Sequence, residues 1–178
     1  MSTIQKVIRT SCIVAVLPVL LILASGFNAQ MKEKKTENIT VEQKNKEFIK
    51  VYTEDFWNSH NLAALKKYYS DDFILHSVDG DQDLEQYKEL CQAYFKAFPD
   101  LHITSHDLIA EGDKVAKRWT VNCTHKEEFM GIPATGNKIV FTGLEIFRIQ
   151  EGKITEIWIN MDNLGMLKQL GVIPDNDE

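Results

Sequence analysis

The apolar residues of this chain change period once, at Pro99, and that change constrains the fold more than any other feature. Before Pro99, Phe48, Tyr52 and Phe56 recur at spacing four, with Ile49 and Trp57 beside them. This is one apolar stripe on a helix over about 41–59, opened by the capping-box pattern Thr40-Val41-Glu42-Gln43. Asn61 caps a second, short helix over 62–69, which Asp71-Asp72 ends. Leu84, Tyr87, Leu90, Cys91, Tyr94, Phe95 and Phe98 step by three and four, giving a third helix over 84–98 that Pro99 stops. After Pro99 the period is two. Residues 101–111, 114–125, 138–149 and 153–161 read as strands, joined by Gly112-Asp113, the loop 130–137 and Glu151-Gly152. Such short joints favour antiparallel hairpins.

Between the helices, Phe73-Ile74-Leu75-His76 reads as a short buried strand and Val78-Asp79-Gly80-Asp81 as a turn. Asn163–Leu170 forms a last helical turn. Three helices followed by a meander of long strands is an α+β pattern. A curved antiparallel sheet wrapped around the helices encloses a pocket between them.

Residues 1–11 carry Lys6 and Arg9 and no acid, and residues 12–24 are apolar or small. With Ala24-Ser25-Gly26 after them, they have the form of a secretory signal peptide. The run is about 13 residues where a membrane span needs about 20, and Pro18 interrupts it, so an uncleaved membrane tether is the second reading. The expected organisation is a signal peptide over 1–26, a polar linker over 27–40, one domain over 41–174 and a polar tail over 175–178. The expected location is therefore outside the cytoplasm, with no stable membrane span after cleavage. The formal charge of −6 and the absence of a basic stripe argue against a nucleic-acid partner. Cys91 and Cys123 remain after the leader; they either pair in an oxidising compartment or stay as buried thiols.

Several pieces of the second half occur together in one family. They are Phe98-Pro99-Asp100, Thr124-His125, the run Phe129-Met130-Gly131-Ile132-Pro133-Ala134-Thr135-Gly136, Phe147-Arg148-Ile149 followed by Gly152-Lys153-Ile154, Trp158 with Asp162 four residues on, and Gln169-Leu170-Gly171. Upstream, Asp72-Phe73 with His76 fits as well. In this order they resemble the SnoaL-like polyketide cyclases, also labelled ester cyclases, of the nuclear transport factor 2-like superfamily. Glu127 departs from the pattern, where Gly is common. The resemblance implies a cone-shaped α+β barrel with a deep hydrophobic pocket, usually dimeric, and no metal or cofactor. It implies intramolecular aldol ring closure of a hydrophobic, oxygenated small molecule, with Asp162 at the position of the acid/base.

The residues themselves leave two readings of Asp162. As a carboxylate at a pocket mouth it can remove a proton alpha to a carbonyl and return one to the new alkoxide. As an Asp before a helical turn it is equally a helix cap. His76, His125, Trp158, Arg118 and Phe129 are candidate substrate-binding residues. Histidines titrate near neutrality, and the arginine pairs either a substrate oxyanion or a surface acid. Each histidine has the plainer reading of a hydrogen-bonded structural residue. No metal site is expected: His102 and His106 on one strand face stand about 13 Å apart at ~3.3 Å per residue. Two functions follow. One is a cofactor-free cyclase or related lyase or isomerase; the other is an exported protein of the same fold that binds a small molecule without turning it over.

Overall fold

Thr40 accepts the Gln43 backbone N–H on its hydroxyl and the Gln43 side chain caps Thr40 in return, so helix α1 (Val41–Tyr52) starts where the capping box predicts. A computed structural model describes residues 39–174. The expected signal peptide, most of the linker and the tail lie outside these residues. Among the described residues no helix is long and apolar enough to cross a membrane.

The expected 41–59 helix divides in two. Beyond Tyr52 the chain widens into a π-turn over Thr53–Asn58. Tyr52, Thr53 and Phe56, at the junction of helix and π-turn, all face inward, each 1% exposed or less. The second helix is shorter than expected. A 3-10 turn (Leu62–Ala64) leads into α2 (Leu65–Tyr68), and the chain enters strand β1 (Tyr69–Ser77) directly. Asp71 and Asp72 belong to that strand, with exposed side chains. The expected turn at 78–81 is a hairpin into a short strand β2 (Gly80–Asp83). Asp83 then caps helix α3 (Leu84–Ala97) through a second capping box with Gln86. The four long strands fall within a residue of expectation: β3 (His102–Glu111), β4 (Lys114–Thr124), β5 (Lys138–Gln150) and β6 (Lys153–Met161). Helix α4 (Asn163–Gln169) follows.

The sheet order is β2-β1-β6-β5-β4-β3. It is a curved mixed sheet rather than the antiparallel one expected. β1 runs parallel to β6, with Leu75 opposite Ile157 and His76 opposite Trp158. No hairpin ties these strands together, so their direction is set by the path of the whole intervening chain. Register shifts in β1, β3 and β6 mark bulges that bend the sheet.

The core fills one face of the sheet in two clusters. The first joins Ile49, Tyr52, Phe56, Tyr68, Tyr69, Phe73 and Tyr87 to Val115, Phe147, Ile154 and Ile157. The second joins Tyr94, Phe98, Trp119, Val121, Phe141, Met166 and Leu170. Trp57, Leu90 and Ile159 pack against both. Gly143 belongs to this inner face, and the Trp119 indole lies across it. A Cβ at position 143 would meet the indole ring at 2.3 Å. Gly143→Ala is expected to cost about 1–3 kcal/mol through overpacking, read as a lower melting temperature in a circular-dichroism thermal scan.

Candidate functional site

Strand alternation and register together fix what the inner face presents. Across β4, β5 and β6 the inward residues form rows: Val115–Phe147–Ile157, then Lys117–Glu145–Ile159, then Trp119–Gly143–Met161, and beyond these Val121–Phe141. Successive rows are about 6.6 Å apart, two residues of strand rise. The first row belongs to one apolar cluster and the third to the other. The charged row lies at the seam between them.

Lys117 has no exposed surface. Its Nζ is 2.7 Å from Glu145 Oε1 and donates to Thr53 Oγ1 at 3.2 Å. It also sits over the Phe147 ring, 5.3 Å from its centre. Thr53, at the start of the π-turn, donates its own hydroxyl to the Ile49 carbonyl at 2.8 Å. The π-turn therefore supplies the ammonium with an oxygen from the helical layer. Glu145 keeps 11% of its side chain exposed, and its Oε2 takes no donor among the described residues. In the next row the Trp119 indole N–H is buried and has no acceptor among the described residues.

A chain of phenols lies in the first cluster. Trp57 Nε1 donates to Tyr52 OH at 2.7 Å. Tyr52 and Tyr69 share a hydrogen bond, and Tyr69 and Tyr87 share another at 2.9 Å. Burial pushes all three phenols well above their ordinary range, so they act as neutral donors and acceptors. Cys91 and Cys123 are free and buried. Burial raises both thiols, Cys123 to about 12, so neither is an activated nucleophile.

Asp162 lies exposed where β6 passes into α4. Its Oδ1 accepts the Gly165 N–H at 2.8 Å, and its own N–H donates to the Thr142 carbonyl at 3.0 Å. Gly165 makes room for the carboxylate: a Cβ there would meet Asp162 Oδ2 at 2.2 Å. The cap of the plainer reading is therefore present, while Oδ2 takes no protein donor among the described residues. α4 is held to β5 by Gln169, which donates to the Val140 carbonyl at 2.7 Å and accepts the Val140 N–H at 2.8 Å.

The other expected site residues are not gathered around Asp162. His125 is fully buried just past the end of β4 and packs on Phe98 at 5.3 Å between ring centres. Its Nδ1 accepts the Thr135 N–H at 3.3 Å, so the hydrogen-bond network assigns the proton to Nε2, which has no partner among the described residues. Phe129 is 2% exposed and packs on Tyr94 and Phe98 at 4.7 and 5.0 Å. It starts a tight turn to Ile132 in which Met130 and Gly131 both have positive φ. Arg118 is on the outer face, paired with Asp107 at 2.7 Å, and both are half exposed. His76 and Trp158 also face outward, on the opposite side of the sheet from the clustered core. Their rings stack 5.1 Å apart, and Arg148 and Lys114 lie over the indole. His76 Nδ1 is 2.8 Å from Asp81, and Nε2 is 3.4 Å from Glu156. The expectation placed both rings in a pocket, because an apolar run such as Ile157-Trp158-Ile159 does not say which residue points in. Lys117 and Glu145 were missed by sequence reasoning. Their signal is a charged residue at an inward position of each alternating strand.

A family model described as SnoaL-like polyketide cyclase matches residues 49–170. Among solved structures, AclR from Streptomyces galilaeus, a proposed hydroxylase, is 32% identical with a TM-score of 0.68, over 74% of this chain and 87% of that one. IdmH from Streptomyces antibioticus, a proposed polyketide cyclase, is 33% identical with a TM-score of 0.62, over 72% and 99%. A SnoaL-like polyketide cyclase from Agrobacterium tumefaciens shares the fold at 22% identity and a TM-score of 0.61, over 71% and 98%. A search of curated proteins finds no match.

Lys117→Met leaves Glu145 buried without its counter-ion and is expected to cost about 3–5 kcal/mol, whereas Lys117→Met with Glu145→Leu recovers most of it; urea unfolding of the three proteins checks this. The His76 imidazole is raised by its hydrogen bond to Asp81 and further by the one to Glu156. A raised folded pKa adds stability that is complete below the unfolded value of about 6.5 and fades as pH rises through the folded one. The melting-temperature gap between wild type and His76→Gln should therefore be wider at pH 5.5 than at pH 8.5.

Proposed function

The chain belongs to the SnoaL-like polyketide cyclase family, and on that premise we propose that it performs cofactor-free acid/base chemistry on a hydrophobic, oxygenated small molecule. The reaction is an intramolecular aldol-type ring closure or a related lyase or isomerase step. Asp162 removes a proton alpha to one carbonyl. The resulting enolate carbon attacks a second carbonyl of the same molecule, and the alkoxide so formed takes a proton back from the Asp162 carboxyl. Nothing is gained or lost overall, so the step needs no co-reactant.

The observation that carries this reading is the state of Asp162. It stands at the position that matches the family's acid/base, is open to solvent, and has one carboxylate oxygen held by Gly165 and the other unengaged. The capping bond orients the carboxylate without consuming it. Export through residues 1–26 and assembly as a homodimer are part of the same proposal. The outer face of the sheet supports the second, since Ile74 and Leu144 stand exposed on it.

Asn caps helices as well as Asp, so Asp162→Asn separates chemistry from capping. Turnover of a linear β-keto ester, followed by chromatography and mass spectrometry, should fall roughly 10²–10⁴-fold in Asp162→Asn, with little change in melting temperature. Unchanged turnover in this variant overturns the acid/base role. A wild type that binds such ligands without converting them indicates the non-catalytic binding protein instead.

A further inference from the structure

The edge of β5 that faces β6 runs out of partner strand at Gly143, which pairs with Met161. Below that point the segment after β6 takes up the backbone groups of β5. The Thr142 carbonyl accepts the Asp162 N–H at 3.0 Å. The Val140 N–H and carbonyl go to the side-chain amide of Gln169, at 2.8 and 2.7 Å. Helix α4 is thus docked on one strand edge at both ends, by backbone at Asp162 and by a side chain at Gln169.

The same amide reaches further. Gln169 Nε2 also donates to the Gly165 carbonyl at 3.0 Å, and the Gly165 N–H donates to Asp162 Oδ1 at 2.8 Å. Val140, Gln169, Gly165 and Asp162 therefore form one chain of contacts that starts on the sheet and ends on the carboxylate. A side-chain amide offers one oxygen acceptor and two N–H donors to such partners, and Gln169 uses the oxygen and the nitrogen alike. A glutamate of the same length would set a carboxylate against two carbonyls. Asn137, just before β5, holds the residue from the other side, its Nδ2 donating to the Gln169 carbonyl at 2.9 Å.

Attachment of the helix alone does not call for this. Met166 and Leu170, 5% and 2% exposed, already bury one face of α4 in the second cluster. Apolar burial is non-directional, so it leaves a seven-residue helix free to turn about that contact. The amide removes the freedom that burial leaves, and it does so at Gly165, the residue that grips Asp162.

We infer that Gln169 is the positioning residue for Asp162: by fixing Gly165 against Val140 it sets the direction in which the carboxylate meets the substrate carbon. This rests on the acid/base reading above and adds the residue on which its geometry depends. Gln169 acts through Gly165 and does not touch the substrate. A misplacement of about 1 Å costs up to roughly 10²-fold in rate.

The test uses the full chain labelled with ¹³C and ¹⁵N, in which the Gly165 amide is assigned directly. A charged acceptor makes the stronger hydrogen bond, so Asp162→Asn should move the Gly165 amide proton upfield. In a Gln169→Met background the same substitution should move it less than about half as far. In a His76→Gln background, altered on the outer face of the sheet, it should move the full distance. With the linear β-keto ester as substrate, Gln169→Met and Gln169→Glu should each lower kcat about tenfold and leave KM within about twofold. Thermal scans establish that each variant is folded at the assay temperature. Equal displacement of the Gly165 proton in the wild-type and Gln169→Met backgrounds overturns the coupling. Unchanged kcat in both Gln169 variants overturns the positioning role. Full turnover in Asp162→Asn, with the displacement still reduced in Gln169→Met, overturns the acid/base reading and leaves the coupling of Gln169 to the carboxylate standing.

Discussion

An ammonium group with no exposed surface can exist in this interior only because a carboxylate stands directly across from it on the next strand. Taking Lys117 out of water costs several kcal/mol, and the Glu145 contact at 2.7 Å offsets that only if the register of β4 against β5 is kept. A slip of one residue would turn Lys117 outward and Arg118 inward, and would send Trp119 and Val121 to solvent. The pair thus pins the register for every row around it. It also explains the π-turn. The widened turn carries Thr53 inward beside Tyr52, so the helical layer meets the ammonium with an oxygen rather than a methyl group.

The same alternation divides the polar chemistry between the two faces of the sheet. Inside, the charges are few, paired and surrounded by rings. Outside, Arg118–Asp107, Arg148–Glu156 and the stacked His76–Trp158 pair form a partly hydrated surface. Contacts there are individually weak and screened by salt. Asp162 belongs to neither face. It sits at the strand end, where β6 hands over to α4, and Gln169 fixes that helix by completing a strand-like pair of bonds with Val140.

Much of the fold was legible in the sequence because it is written in local periods. The switch from 3.6 to 2 at Pro99, the capping box at Thr40 and the Gly-containing joints all act over a few residues, and the elements they mark appear where expected. The parallel pairing of β1 with β6 was not legible, since strand direction depends on the path of the intervening chain rather than on either strand. The π-turn was missed because Phe48, Tyr52 and Phe56 satisfy a regular helix equally well. Of the candidate site, Asp162 was singled out with two readings, and the cap is the one the structure displays. The outward position of Trp158 was hidden in an unbroken apolar run. The Lys117–Glu145 pair was overlooked because charged residues in a strand are read as outward by default, and only their phase against Val115, Trp119 and Phe147 shows otherwise.

The join between β1 and β6 also bears on how the chain comes into being. His76 and Glu156, which touch across it, are 80 residues apart in sequence. Closing so long a loop is slow compared with forming a hairpin. A nascent chain still short of Met161 has β1 with one edge bare, and its first apolar cluster lacks Ile154 and Ile157. The amino-terminal half therefore carries uncovered apolar surface until β6 is made. Pairing of β1 with β6 covers that surface and joins the two ends of the sheet.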